Sequence, residues 1–155
     1  MGVEQAELEC RVAAFTEAAR RAGVKLTHQR LEIFRAVAAS AEHPTAEAVF
    51  QAVRPGMPTV SLDTIYRTLW LLRDFGLVST LGPRQDSVRF DANLAPHHHF
   101  RCTECGMIRD FESAELDRIA IPDSARAFGR VSGAHIEVRG LCAACAARAA
   151  GDGQT

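Results

Sequence analysis

Four cysteines fall in two Cys-x-x-Cys pairs, Cys102/Cys105 and Cys142/Cys145, and a fifth, Cys10, stands alone. Two residues between thiols let both sulfurs turn toward one ion, and Gly106 permits the tight backbone that the first pair needs. Four thiolates match a closed tetrahedral Zn2+ site with no position open for chemistry. The pairs are separated by 36 residues, so the ion would staple the first strands of this half of the chain to its last helix. On the order of 10 kcal/mol of binding free energy would then count as folding energy. The alternatives are two unrelated reduced pairs or a thioredoxin-like redox pair, and neither pair follows a strand–helix–strand pattern. Cys10 has helical spacing around it and reads as an inert helix residue.

A second cluster, His97-His98-His99, sits immediately before the first cysteine pair. On a strand, His97 and His99 project to one face and His98 to the other, so His97 and His99 form a ready pair of metal ligands. Asp91 lies just upstream, Asp110 just beyond the cysteine turn, and His43 in the first half before a helix. Imidazole and carboxylate donors without sulfur suit Fe2+, Mn2+ or Zn2+. The competing reading is a solvated polyhistidine patch. His28 and His135 are isolated and read as non-ligands.

These groups need elements to position them. Residues 4–22 show helical spacing through Leu8, Val12, Phe15, Ala19 and Ala22, with Gly23 as a stop. Thr27 can cap a second helix carrying Leu31, Phe34, Val37 and Ala38. Thr45, after Pro44, can cap a third with Ala46, Val49, Phe50 and Val53 on one face. Residues 54–58 contain Pro55, Gly56 and Pro58 and cannot continue it. Ser61 caps a fourth helix whose Ile65, Leu69 and Leu72 face the core. Two β-like runs, 77–81 and 88–90, flank a turn at 82–86, which makes a winged helix-turn-helix. In the second half, 98–102 and 107–111 alternate like strands, Ser113 can cap a short helix through Ile119, and 130–141 reads as a further strand region. An Ala-rich helix follows Cys142. The resulting class is α+β: an N-terminal winged helix-turn-helix domain at 1–91, a hinge at 92–96, a small zinc-stapled α/β domain at 97–150, and a disordered tail at 151–155.

Composition narrows the function classes. The 155 residues are 47% hydrophobic, enough for a core, and no apolar run approaches membrane-spanning length. The N-terminus carries Glu4, Glu7 and Glu9 and no signal core, so a cytoplasmic protein is expected. The net charge of −1 means that a DNA reader would rely on a local basic patch. A zinc hydrolase or deaminase would need an open metal position and a general base. Neither a His-Glu-x-x-His run nor a His-x-Glu before Pro-Cys-x-x-Cys is present, so no enzyme is expected. A DNA-binding module with structural zinc and an inert histidine cluster is the other competitor.

Seven segments in register resemble the ferric-uptake-regulator (Fur) superfamily of bacterial metal-dependent repressors over about residues 8–148. They are residues 23–30, His43-Pro-Thr-Ala46, residues 61–69, Gly76-Leu-Val78, Arg89-Phe-Asp91, residues 97–102 with Cys105-Gly106, and Cys142-x-x-Cys145. The resemblance implies a homodimer whose winged helices bind a palindromic double-stranded DNA operator. It implies a regulatory Fe2+ or Mn2+ site formed by His43, Asp91, His97, His99 and Asp110, clamping the readers to the dimerisation domain. Aspartate at both carboxylate positions, with Ile108-Arg-Asp-Phe111, is most similar to the peroxide-responsive (PerR) branch. In that branch peroxide reacting at bound Fe2+ oxidises a ligand histidine, here His43 or His97. Iron-uptake (Fur) and zinc-uptake (Zur) regulators of the same superfamily remain the alternatives. Many members use a further histidine ligand where Gly133 and Ala134 stand here, with His135 one place later, which speaks against a third site.

Residues 61–72 form the expected recognition helix, with Thr64, Arg67 and Thr68 toward its open face. By resemblance, Tyr66 and Arg67 contact bases and Lys25 enters the minor groove. Arg can pair with guanine and a Tyr ring can pack on a thymine methyl. Arg30, Arg73 and Arg84 are candidates for phosphate contacts, and Trp70 for packing.

Overall fold

A computed structural model of the chain describes residues 2–82 and 88–151. It is α+β and divides into two compact units, Met1–Leu94 and Ala95–Thr155. Arg84, most of the expected wing turn and residues 152–155 of the expected tail lie outside the described residues.

The first unit carries α1 (Gln5–Arg21), α2 (His28–Ala38), α3 (Ala46–Val53), α4 (Leu62–Asp74) and a hairpin of β1 (Ser79–Leu81) and β2 (Arg89–Asp91). Each cap read from the sequence accepts a backbone N–H of the first turn. Thr27 takes that of Arg30, Thr45 that of Ala48, and Ser61 that of Thr64. Such a cap is worth about 1 kcal/mol. Gly76, at φ +70°, reverses the chain after α4 and lets Leu77 N–H reach the Leu72 carbonyl at 2.8 Å. Strands β1 and β2 pair antiparallel, Ser79 opposite Asp91 and Leu81 opposite Arg89.

The core of this unit is one cluster. Phe15 of α1 and Phe34 of α2 stack with ring centroids 3.8 Å apart, both fully buried, among Ile33, Val37, Ile65, Leu69, Leu72 and Phe90. Trp70 packs edge-on against Phe90 at 5.7 Å. One expectation for α4 is corrected. Thr68 is buried, because positions 65, 68, 69 and 72 form one helical stripe and all four turn inward.

The second unit holds β3 (His98–Cys102), β4 (Ile108–Phe111), a short 3-10 turn (Leu116–Arg118), α5 (Asp123–Arg126), β5 (Glu137–Gly140) and α6 (Ala143–Gly151). The sheet order is β4-β3-β5, with β3 antiparallel to β4 and parallel to β5. The strand expected over 130–141 is limited to β5, since this stretch pairs only along the free side of β3. The helix expected after Ser113 is a single 3-10 turn, with Leu116 N–H on Ser113 Oγ at 3.3 Å, and α5 was not anticipated. Helix α6 includes Gly151, the first residue assigned to the tail.

Removing one ring of the buried stack leaves a cavity that the surrounding side chains fill only in part. Phe34→Ala is expected to cost about 3–5 kcal/mol of unfolding free energy, measured by urea titration. A loss below 1 kcal/mol would show that the stack does not organise the core.

Candidate metal centres

The cysteine cage lies entirely within the second unit. Strand β3 ends on Cys102, and Gly106, at φ +72°, closes the turn that carries Cys105, with Gly106 N–H on the Cys102 carbonyl at 3.1 Å. Thr103 N–H on the Gly140 carbonyl, 2.8 Å, holds this turn against the end of β5. Cys142 follows two residues after Gly140 and immediately precedes α6, its carbonyl accepting from Ala146 N–H at 2.8 Å. Ligand atoms of all four cysteines lie within 4.8 Å of one another, and the Cys105 and Cys142 sulfurs are 3.8 Å apart. A Zn–S bond of about 2.3 Å in tetrahedral geometry requires sulfurs about 3.8 Å apart. The donor set fits zinc, and the cage is closed.

Electrostatics around the cage favours bound thiolates unevenly. Backbone N–H groups of Cys105 and Cys142 aim at Cys102 Sγ, the latter at 3.3 Å, and push its thiol down to about 6. Burial, with the neighbouring thiols, pushes Cys145 up to about 12, against the opposing charge of Arg148. Arg148 Nη2 donates to Cys145 Sγ at 2.8 Å. Four thiolates this close need a cation, and these N–H donors take up part of the excess negative charge of a four-thiolate zinc site.

The nitrogen and oxygen donors form one group in each unit. In the first, His43 has φ +51°, the one positive value among described non-glycine residues, and it precedes Pro44. Strain of this kind costs of order 1–3 kcal/mol and persists only where neighbours enforce it. Here Phe90 N–H bonds the Pro44 carbonyl at 3.0 Å, and Arg89 Nη1 donates to the carbonyls of Glu42 (3.1 Å) and His43 (3.2 Å). The loop is thereby tied to β2, with His43 Nδ1 3.6 Å from Asp91 Oδ1. Asn93 N–H donates to the same carboxylate oxygen at 2.8 Å.

In the second unit, His99 and Asp110 are directly opposed across β3 and β4, so their side chains share a face. His99 Nε2 is 3.3 Å from Asp110 Oδ1, and His97 Nε2 is 3.7 Å from it. The two Nε2 atoms converge to 3.0 Å. His97 Nδ1 lies 2.7 Å from the Ala95 carbonyl. A carbonyl accepts only, so Nδ1 carries the proton and Nε2 offers its lone pair, the arrangement common for metal-bound histidine. His98 points the other way, with Nε2 3.0 Å from Asp117 Oδ1 and Nδ1 accepting from Ile136 N–H at 3.1 Å. His135 is exposed, its ring 5.8 Å from that of His99.

The expected DNA-contacting residues sit in the first unit. Thr64, Tyr66 and Arg67 lie on α4 and Lys25 between α1 and α2. Arg67 is exposed and pairs with Asp63 at 2.8 Å. Tyr66 donates to Glu47 of α3 at 2.5 Å. Arg30 donates to the Lys25 carbonyl at 2.7 Å, and Arg73 lies over the Trp70 ring. Sequence reading missed Glu47, Arg148 and the Arg89 clasp. Only Arg148, one helical turn beyond Cys145, had a local signal.

Purified protein is expected to hold about one tightly bound zinc per chain. Cys105→Ser should release it and lose amide-exchange protection in β3, β5 and α6 while α1–α4 stay protected. Unchanged protection in zinc-free protein would rule out the staple. Arg148→Met should speed zinc transfer to a chromogenic chelator severalfold, and an unaltered rate would show that its N–H···S contact does not hold the ion.

Residues 21–131 match the family described as the Ferric uptake regulator family. The peroxide-responsive repressor PerR of Staphylococcus aureus is 35% identical over 145 residues, covering 94% of this chain and 98% of that one. Among solved structures, the ferric uptake regulator Fur of Helicobacter pylori superimposes with a TM-score of 0.66 at 20% identity, over 94% of this chain and 97% of that chain. PerR from Streptococcus pyogenes superimposes with a TM-score of 0.50 at 26% identity, over 94% and 95%. On the family match and on the relative that is 35% identical over 94% of this chain, the chain belongs to the ferric uptake regulator family.

Proposed function

We propose that this chain is a metal-dependent transcriptional repressor that responds to peroxide through a regulatory Fe2+ or Mn2+ ion held by His43, Asp91, His97, His99 and Asp110. One observation carries the reading: His97 and His99 turn their Nε2 atoms and Asp110 a carboxylate oxygen toward one point, a donor set free of sulfur. His43 and Asp91 supply the remaining donors from the first unit. The relatives known as PerR are peroxide-responsive repressors, and the aspartates at 91 and 110 favour that branch over iron- or zinc-uptake control.

The chain's own part is to hold and then release. His97 is fixed by the Ala95 carbonyl, His43 by the clasp of Arg89, and Asp91 by Asn93 N–H. When bound, Fe2+ supplies the electrons that reduce hydrogen peroxide beside a ligand imidazole. His43 or His97 carrying an added oxygen is a poorer ligand, so the link between the units opens. A repressor of this kind reacts once per ion and is a sensor, not an enzyme.

The second unit carries the dimer contact. Strand β5 is an edge strand that carries the exposed Val138, with Leu141 just after it, and Ile119, Phe128 and Val131 of the same unit are also exposed. Phe128 is 93% exposed, an aromatic ring available to a partner surface. A second copy of the chain covers this face. Two α4 helices in one dimer then read a palindromic operator, entering major grooves about 34–36 Å apart. Among the described residues no helix is long and apolar enough to cross a membrane, and the site of action is the cytoplasm, where the operator is.

The deciding experiment measures binding of Fe2+- and Mn2+-loaded protein to a duplex selected from random sequence, before and after peroxide, with mass spectrometry of the His43 and His97 peptides. The iron form should lose affinity at least tenfold and gain one oxygen on one of these histidines, while the manganese form keeps both. His97→Ala and Asp110→Ala should remain zinc-loaded dimers whose DNA binding no longer rises with Mn2+. Metal stimulation persisting in both variants would refute the ligand assignment. Loss of binding without the oxygen gain would refute histidine oxidation.

A further inference from the structure

Tyr66 is the one tyrosine of the chain, and its hydroxyl donates to a carboxylate on a different helix, Glu47 Oε1 at 2.5 Å. Glu47 lies in the first turn of α3, capped by Thr45, where free backbone N–H groups favour an ionised carboxylate. The phenol hydrogen bond and the residue's own N–H hold Glu47 below the usual carboxylate range, and the same contact raises Tyr66. Glu47 is exposed and Tyr66 is partly exposed, the residue on α4 directly before the exposed Arg67. An acid there repels phosphates, so it weakens DNA binding unless it does something else. A different acidic contact on this helix, Asp63 with Arg67, spans one turn of one helix between highly exposed groups. A pair of that kind exchanges readily for another partner. The Glu47–Tyr66 contact bridges residues 19 apart in sequence and fixes the phenol against a second element.

We propose that Glu47 is a specificity-determining residue of the DNA reader, acting by committing the phenol proton of Tyr66. The proposal rests on α4 being the helix that enters the major groove. A tyrosine hydroxyl is normally both donor and acceptor. With its hydrogen held by Glu47, the Tyr66 oxygen offers only lone pairs to the duplex. In the major groove adenine N6 and cytosine N4 are donors, whereas thymine O4 and guanine O6 are acceptors. The oxygen therefore selects an amino base over a keto base at one position in each half-site. An A·T pair suits it further, because the thymine methyl can pack on the ring. Without Glu47 the hydroxyl rotates to donate or accept and the distinction is lost, even as removal of a negative charge strengthens binding to DNA of any sequence.

The test selects duplexes from a fully randomised library with the zinc- and Mn2+-loaded dimer and compares base preferences of wild type, Glu47→Ala, Glu47→Gln and Tyr66→Phe. Wild type should enrich a palindrome with adenine or cytosine preferred at one position per half-site. Glu47→Ala should weaken that preference about tenfold, leave the other positions unchanged and bind random duplex more tightly. Glu47→Gln should keep most of the preference, because its amide oxygen still accepts the phenol proton. Adding Glu47→Ala to Tyr66→Phe should change no base preference. Without DNA, ultraviolet titration of the single tyrosine should show its ionisation moving down toward the ordinary phenol value in Glu47→Ala. An unmoved titration, a preference profile identical to wild type, or a loss spread evenly over the half-site would overturn the proposal alone. A wild-type dimer that enriches no motif would overturn the DNA-reading assignment and the proposal with it.

Discussion

The second unit has almost no apolar interior. Among the described residues its buried apolar side chains are Cys102, Ile108 and Cys145, whereas the large hydrophobic cluster lies wholly in the first unit. A segment of this size without a core does not hold together by burial alone. Cohesion must come from somewhere else, and two of these three buried apolar groups are thiols of the cage. A cation among four thiolates joins the end of β3, the turn at Cys105 and the start of α6 at a single point. The free energy that a core would supply by exclusion of water would be supplied here by coordination. The same shortage explains why side chains such as Phe128 and Ile119 face solvent in one copy of the chain. Metal and partner are two remedies for one deficit.

Strand β3 shows how little chain is needed once that staple exists. Its pleat sends His99 to the face shared with Asp110 and His98 to the opposite face, where Asp117 and Ile136 N–H occupy both ring nitrogens. Two residues after Phe100, the strand delivers Cys102 to the cage. Orientation of the sulfur-free donors is therefore inherited from a sheet whose far end the cysteines anchor. Rigid backbone beneath a ligand set matters because coordination tolerates errors of only a few tenths of an ångström. In the first unit the same precision comes from strain. His43 is held at positive φ by carbonyl contacts to Arg89 and by the Pro44–Phe90 hydrogen bond.

Legibility in the sequence followed the range of the interaction. Caps at Thr27, Thr45 and Ser61 act over three residues, and all three were readable. So were both cysteine pairs, whose spacing is itself the geometry. The alternation of His97 and His99 needed only the strand period. Thr68 was misplaced because a polar residue was given to the open face, although its position lies within the stripe of Ile65, Leu69 and Leu72. Residues 130–136 contain strand-forming side chains, yet pairing depends on how much of β3 is left uncovered, and one sequence segment does not carry that information. The Glu47–Tyr66 contact was invisible for a related reason. It joins two helices whose relative placement is set by packing of α3 against α4, with no pattern in either helix to announce it.

The proposed ligand set has an uneven division of labour with a thermodynamic consequence. Two donors come from the unit that carries α4 and three from the unit that carries the cage. Neither subset satisfies the coordination of Fe2+ or Mn2+, which prefer five or six hard donors. Affinity for the ion is therefore affinity for the joined arrangement. By linkage, whatever fraction of molecules holds that arrangement without metal sets the apparent dissociation constant, and DNA that selects the same arrangement must tighten metal binding by the factor by which metal tightens DNA binding. Loss of one imidazole from such a set weakens the link between units more than it weakens either unit. A sensor can then lose its grip on DNA while both folded parts, and the zinc that holds one of them together, remain intact.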